Sequence, residues 1–274
     1  MAQKKNRAEG YMVYFDEYLR KAKDSDELTI DKTWSQGRTT FGGISAAILL
    51  EKMNQQILDE KTIKSLSLVF SAPLLVDVPF QLQVESWSSG KSTCQLQAKA
   101  IQDKKVCIAA IATFGKPRIS HICHRTDRVS TSTYSDQKKL SYIENITPVF
   151  LQHFDLHLIE GDLPFSGNKL SHLSGWASFA KDVELLSPAH ILALTDAWPP
   201  TILQNYKKPG PGATAHWNVS FVDLMHVTDP VKEKVYFSST VTSALEGYAH
   251  TEAKIFSQEG EQVATSSQLV MGYE

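Results

Sequence analysis

Two stretches decide the fold of this 274-residue chain: KSLSLVFSA, Lys64–Ala72, and AHWNVSFV, Ala215–Val222. In the first, Leu66, Leu68 and Phe70 alternate with Ser65, Ser67 and Val69. In the second, Trp217, Val219 and Phe221 alternate with His216, Asn218 and Ser220. A period of two with one apolar face marks a half-buried β-strand. The two stretches also match each other: 217 − 66 = 151, and Phe221 with Phe70 keeps that offset.

Beyond each stretch the chain continues as strand, turn, strand, turn, strand. Gly90 and Gly247 mark the first turns, 157 residues apart. QDKKV ending at Val106 and QEGEQV ending at Val263 mark the second turns, and Gly115 and Gly272 close both copies, at the same offset. The change from 151 to 157 is one six-residue insertion, most simply placed within Val222–Lys234. Before each copy lies a helix. The first follows Phe41-Gly42-Gly43 and is expected over Ile44–Leu58. The second starts at Ser187-Pro188, an N-cap followed by proline in the first turn, and runs through Ile191, Leu192 and Leu194 toward Trp198. Val149–Ile159 and Leu173–Val183 read as two more strands.

Turns draw on few residue types, so a hairpin pattern alone recurs by chance. Several markers at one offset, preceded by a matched strand and helix, indicate an internal duplication. The expected organisation is a repeat over residues 1–116, a polar, basic linker over 117–141 and a second repeat over 142–274. A long helix on one face of an antiparallel sheet makes each half α+β.

Composition excludes several classes. Lys plus Arg against Asp plus Glu gives 28 − 30 = −2, without the clustered cations that duplex nucleic acid requires. The longest apolar run, Ile44–Leu50, is far short of the ~18 residues that span a bilayer. Lys4, Lys5 and Arg7 precede YMVYFDEYLRKAK, which carries charges where a signal peptide needs an apolar core. Three cysteines, Cys94, Cys107 and Cys123, are too few for a disulfide framework, so the chain reads as soluble, reduced and cytoplasmic. Gly90-Lys91-Ser92 lacks the first P-loop glycine, Glu85 standing in its place. Gly210-Pro211-Gly212 follows a helix and precedes a strand, the reverse of a dinucleotide fingerprint. His121, Cys123 and His124 have no partner pair to complete a metal set, and no G-x-S-x-G is present.

Helix, then a strand ending S-x-x-F, then a three-strand meander, resembles the hotdog fold, in which a sheet wraps a helix. Two fused copies resemble the acyl-CoA thioesterase family of double-hotdog type, the TesB-like thioesterases. The residues carrying this are Trp34, Gln36-Gly37-Arg38-Thr39 and Phe41-Gly42-Gly43 in the first half. In the second they are Thr195-Asp196-Ala197-Trp198, Thr214 and Gln268. The resemblance implies a double hotdog, two helix-wrapped antiparallel sheets forming one pseudo-dimeric unit. It also implies hydrolysis of acyl-CoA by a water that Asp196, Thr214 and Gln268 position, without metal or other cofactor, and a homodimer of double hotdogs. One departure is His216-Trp217, where members often carry an Asp–His pair.

The residues themselves support some of these roles. Asp196 sits in the apolar helix ILALTDAWPP, where a carboxylate is costly unless partnered and a raised pKa suits a general base. Pro199 and Pro200 leave backbone carbonyls unpaired beside it. The plain alternative is an exposed Asp on a polar helix face. Gln268 replaces Ile111 of the first copy at 268 − 157 = 111, so only the second half keeps the polar group; a surface Gln is the plain alternative. Thr214 begins a strand, as Thr commonly does. Gly42 and Gly43 offer backbone N–H groups to a thioester oxyanion, or else serve close packing. Arg38 faces a phosphate or simply water. Two rivals stand beside hydrolysis: a non-catalytic acyl-thioester-binding module, and a hotdog hydratase or lyase, whose Asp-x-x-x-x-His motif is absent.

Overall fold

Period-two alternation places Leu66 and Leu68 in the core and leaves Val69 47% exposed, while Trp217 and Val219 are fully buried. These positions belong to two strands of a computed structural model that describes residues 14–122, 138–181, 183, 186–210, 212–222 and 234–272. The first half comprises α1 (Phe15–Asp24), β1 (Glu27–Leu28), β2 (Ser35–Gln36), β3 (Thr39–Thr40), α2 (Gly42–Asn54), β4 (Thr62–Phe70), β5 (Phe80–Ser89), β6 (Thr93–Gln102) and β7 (Lys105–Gly115). The second comprises β8 (Lys138–Leu140), β9 (Phe154–Glu160), β10 (His172–Phe179), α3 (Pro188–Asp196), β11 (Gly212–Phe221), β12 (Lys234–Leu245), β13 (Tyr248–Phe256) and β14 (Gln262–Gly272). Short 3-10 turns lie at Lys32–Trp34, Val149–His153 and Thr201–Asn205.

All strands except the β2–β3 hairpin form one 12-stranded sheet, ordered β1-β5-β6-β7-β4-β11-β14-β13-β12-β10-β9-β8. In each half the strand after the helix pairs with the last strand, β4 with β7 and β11 with β14. The halves join edge to edge through antiparallel β4 and β11, with Leu66 opposite Val219, Ser67 opposite Asn218 and Leu68 opposite Trp217. The central pair is 218 − 67 = 151 apart, the repeat offset itself, so β4 and β11 pair about equivalent residues. Ser67 Oγ donates to Asn218 Oδ1 at 2.6 Å across this local two-fold. The joint removes one unpaired edge from each half.

Both core helices lie on the inner sheet face. α2 is buried from Gly43 through Leu50 and α3 from Ala189 through Thr195, the pattern of helices apolar all round. The two helices approach closely: a Cβ on Gly43 would stand 2.9 Å from Ala193 Cα. The Ser187 cap forms as expected, with the Ser187 Oγ 2.8 Å from His190 Nδ1. Among the described residues no helix is long and apolar enough to cross a membrane.

Some elements differ from expectation. α2 ends at Asn54 instead of Leu58, because the chain beyond Met53 leaves the core and Leu58 is 96% exposed. The first five residues of Val149–Ile159 form a 3-10 turn after Pro148, burying Phe150, Leu151 and His153 before β9 begins. Trp34 and His153 stack at 3.8 Å and Phe41 and Phe150 at 4.2 Å, and both contacts require that turn. β8 lies inside the stretch read as a linker and pairs with β9. Cys123, His124 and most of the Val222–Lys234 insertion lie outside the described residues. α1, read only for its charges, is an amphipathic helix burying Phe15, Tyr18, Leu19 and Ala22. Phe15 packs on Trp34 of the first half and on Phe179 and His190 of the second.

Candidate active site

α3 stops where its sequence forces it to stop. Pro199 and Pro200 have no N–H to give, and Asp196 becomes the last helical residue. Its carboxylate therefore sits at the negative end of one helix dipole and faces the positive start of α2. Three groups surround it. The Gly43 backbone N–H hydrogen-bonds to it. Gln268 Nε2 donates to Oδ1 at 3.3 Å. A Cβ on Gly42 would lie 2.8 Å from Oδ2, so only glycine leaves room there. Burial pushes the Asp196 pKa up to about 7, outweighing the lowering by the bonds from Gly43 and Gln268. Such a carboxyl exchanges a proton near neutral pH.

Gln268 occupies the inner face of β14, opposite Trp217 of β11 and Thr251 of β13. The register corrects its first-half counterpart. Trp217 is equivalent to Leu66, and Leu66 lies opposite Ala112. Ala112, fully buried, is thus the counterpart, while Ile111 points outward and is 37% exposed. The constant offset of 157 ignored a one-residue register difference between the β4–β7 and β11–β14 pairings. The contrast of amide with apolar side chain stands with the new partner.

Thr214 lies opposite Val270, just before a bulge between Thr214 and His216. It shares the inner face with Gln268 as its diagonal cross-strand neighbour, half-buried, and no hydrogen bond joins it to Asp196 or Gln268. The His216-Trp217 departure does not enter the carboxylate's surroundings. His216 is exposed, and the Trp217 indole donates to Ser266 Oγ at 2.8 Å. Arg38 is exposed in the β2–β3 turn beside Gly37. The structure therefore unites Asp196, Gln268, Gly42 and Gly43, and keeps Thr214 close by.

Sequence reading missed a slot of about 10 Å³ that opens beside Gln268. Thr195, Trp198, Thr201, Ser239, Thr251 and Ser266 line it. These side chains carry no motif, and strand alternation alone marks Ser239, Thr251 and Ser266 as inward-facing. A larger groove of about 470 Å³ includes Asp26, Lys52, Glu85 and Lys99 but neither Asp196 nor Gln268. Lys52 there is already paired with Asp26 at 2.8 Å. Among the described residues no three His, Cys, Asp or Glu side chains gather as a metal site would need.

Comparison with known proteins identifies the family and the fold. Residues 30–115 match the family model described as acyl-CoA thioesterase N-terminal domain. Residues 127–271 match that described as acyl-CoA thioesterase C-terminal domain. No curated protein sequence matches the chain. A conserved hot dog-fold protein of unknown function from Alicyclobacillus acidocaldarius superposes with a TM-score of 0.78 at 22% identity, covering 90% of this chain and 92% of its own. The acyl-CoA thioesterase II TesB2 of Mycobacterium marinum superposes at 0.71 with 19% identity, covering 94% and 96%. The TesB protein of Mycobacterium avium subspecies paratuberculosis gives 0.63 at 15% identity, covering 86% and 88%. The common architecture is the double hotdog.

Proposed function

The chain belongs to the acyl-CoA thioesterase family and is a thioester hydrolase, and from that premise we propose that it cleaves acyl-CoA with a water activated by Asp196. The ionised carboxylate takes a proton from a water that touches both it and the Gln268 amide beside it. The water oxygen attacks the thioester carbonyl carbon, and Thr214 borders the water from the sheet. The start of α2, through the Gly42 N–H, receives the negative charge that develops on the carbonyl oxygen. Gly43 orients the carboxylate through its own N–H. When the tetrahedral intermediate collapses, the carbon–sulfur bond breaks and Asp196 returns its proton to the departing thiolate. The products are the free acid and CoA.

One observation carries this reading: the Gln268 amide on the inner face of β14 meets, at 3.3 Å, a carboxyl whose pKa burial has raised to about 7. Its half-equivalent position, Ala112, offers no polar atom, which supports one working site on a two-fold scaffold. Thiol release from a panel of acyl-CoAs tests it. Wild-type protein is expected to release CoA and Asp196→Asn to release essentially none. Binding without release would favour an acyl-thioester-binding module, and a change in enoyl absorbance without free thiol would favour a hydratase or lyase.

A further inference from the structure

β4 ends at Phe70 and β11 at Phe221, 221 − 70 = 151 residues on, so the two phenylalanines are equivalent in the repeat. Their surroundings differ. Phe221 is 7% exposed and lies within the core, whereas Phe70 is half-buried and packs against the core's border. Alternation puts Phe70 on the inner sheet face with Leu66 and Leu68, opposite Ile108 of β7. The last pair joining the two halves is Val69 with His216. Beyond it, the next inner residue of β4 is Phe70 and the next of β11 is Thr214.

Gly42 measures how near that ring comes to the carboxylate. A Cβ there would stand 2.8 Å from Asp196 Oδ2 and 3.5 Å from both Cε1 and Cζ of Phe70. Ring and oxygen are therefore no more than 2.8 + 3.5 = 6.3 Å apart, past a residue with no side chain. The two carboxylate oxygens thus have different neighbours. Oδ1 receives the Gln268 amide, while Oδ2 has a bare glycine and an apolar ring that displaces water and donates nothing in its place. No charged group duplicates this effect. Glu51 and Lys52 lie at the far end of α2, His190 in the first turn of α3 and Lys64 six residues back along β4. His216, Tyr248, His250, Glu252 and Lys254 are exposed on β11 and β13, and β14 has no titratable residue. Burial is the largest influence on Asp196, opposed only by the bonds from Gly43 and Gln268.

We propose that Phe70 is a positioning residue of the hydrolytic site, its ring walling Asp196 Oδ2 off from bulk water and confining the attacking water to the Gln268 side. This rests on Asp196 and Gln268 forming that site. The first half then contributes a side chain as well as the backbone of Gly42 and Gly43, and the joint between β4 and β11 is what delivers it. An apolar wall disfavours the ionised carboxylate, which keeps the base strong enough to take a proton from water.

The test is the pH profile of kcat/KM, from about pH 5 to about pH 8, for an acyl-CoA that the wild-type protein cleaves. The wild-type midpoint is expected near 7. In Phe70→Ala water reaches Oδ2, so the midpoint should fall by about one pH unit and the plateau by about tenfold. Phe70→Tyr sets a hydroxyl on Cζ, one of the two ring carbons facing Gly42, and a bond from it to the carboxylate should also lower the midpoint. It keeps the ring's bulk and decides the matter if Phe70→Ala fails to fold. Phe221→Leu, at the equivalent core position, should lose stability and leave the midpoint in place. A wild-type midpoint near 7 that neither Phe70 variant moves, or that Phe221→Leu moves equally, overturns the proposal and leaves the hydrolytic reading intact. A wild-type profile without a midpoint overturns Asp196 as the base, and the proposal with it.

Discussion

Gly42 and Asp196 stand in contact across two helices, a Cβ on the glycine reaching 2.8 Å from the carboxylate Oδ2. The next glycine serves a different end. A Cβ on Gly43 would meet the Phe41 ring at 2.5 Å and the Ala193 Cα at 2.9 Å, where backbone cannot yield. One glycine makes room for chemistry and its neighbour for packing.

The two glycines should separate in experiment. Gly42→Ala is expected to lower kcat/KM by tenfold or more by displacing the carboxylate, with little change in melting temperature. Gly43→Ala overpacks the α2–α3 contact and should destabilise the fold by about 1–3 kcal/mol in denaturant unfolding. Equal loss of stability in both variants would assign Gly42 to packing alone.

Turnover should follow ionisation of Asp196. Because the base acts deprotonated and burial holds its pKa at about 7, log kcat/KM should rise with unit slope below that pH and level off above it. A profile flat between about pH 5 and about pH 8 would remove Asp196 from the role of base.

Stability should run in the opposite direction. The folded pKa is raised, so the native chain holds a proton that the unfolded chain releases near pH ~3.9. That contribution is whole below the unfolded value and is lost as pH rises through about 7. Asp196→Asn should lack this slope and exceed the wild type at pH ~8 by on the order of a few kcal/mol, as read from urea midpoints. An Asn variant less stable at that pH would mean the carboxylate is better satisfied than its surroundings imply.

Gln268→Leu keeps the side chain's bulk and removes its amide. Loss of a preorganised donor of this kind lowers kcat by about 10²–10³. The amide also lowers the Asp196 pKa, so the midpoint of any residual pH profile should move upward. A lower rate with an unmoved midpoint would separate Gln268 from the carboxylate.

The repeat was legible in the residues. Alternation from Leu66 to Phe70 and from Trp217 to Phe221 is a local property of the backbone, since successive strand residues face opposite sides. Equivalent strands meeting about a two-fold pair at equivalent residues, so Ser67 and Asn218 meet at the repeat offset of 151, a pairing that only the structure names. The end of α3 at Asp196 was legible because Pro199 and Pro200 follow it. Three further things were not. The counterpart of Gln268 depended on bulges, which shift register without marking the sequence, and Ala112 replaced Ile111. The slot gathers Trp198, Ser239, Thr251 and Ser266 from one helix end and three strands, a convergence no spacing encodes. Gly42 and Asp196, 196 − 42 = 154 residues apart, meet only because small side chains let α2 and α3 approach closely. Periodicity and turn chemistry act over a few residues and belong to the sequence, whereas helix approach and cross-strand register are decided by what each element packs against.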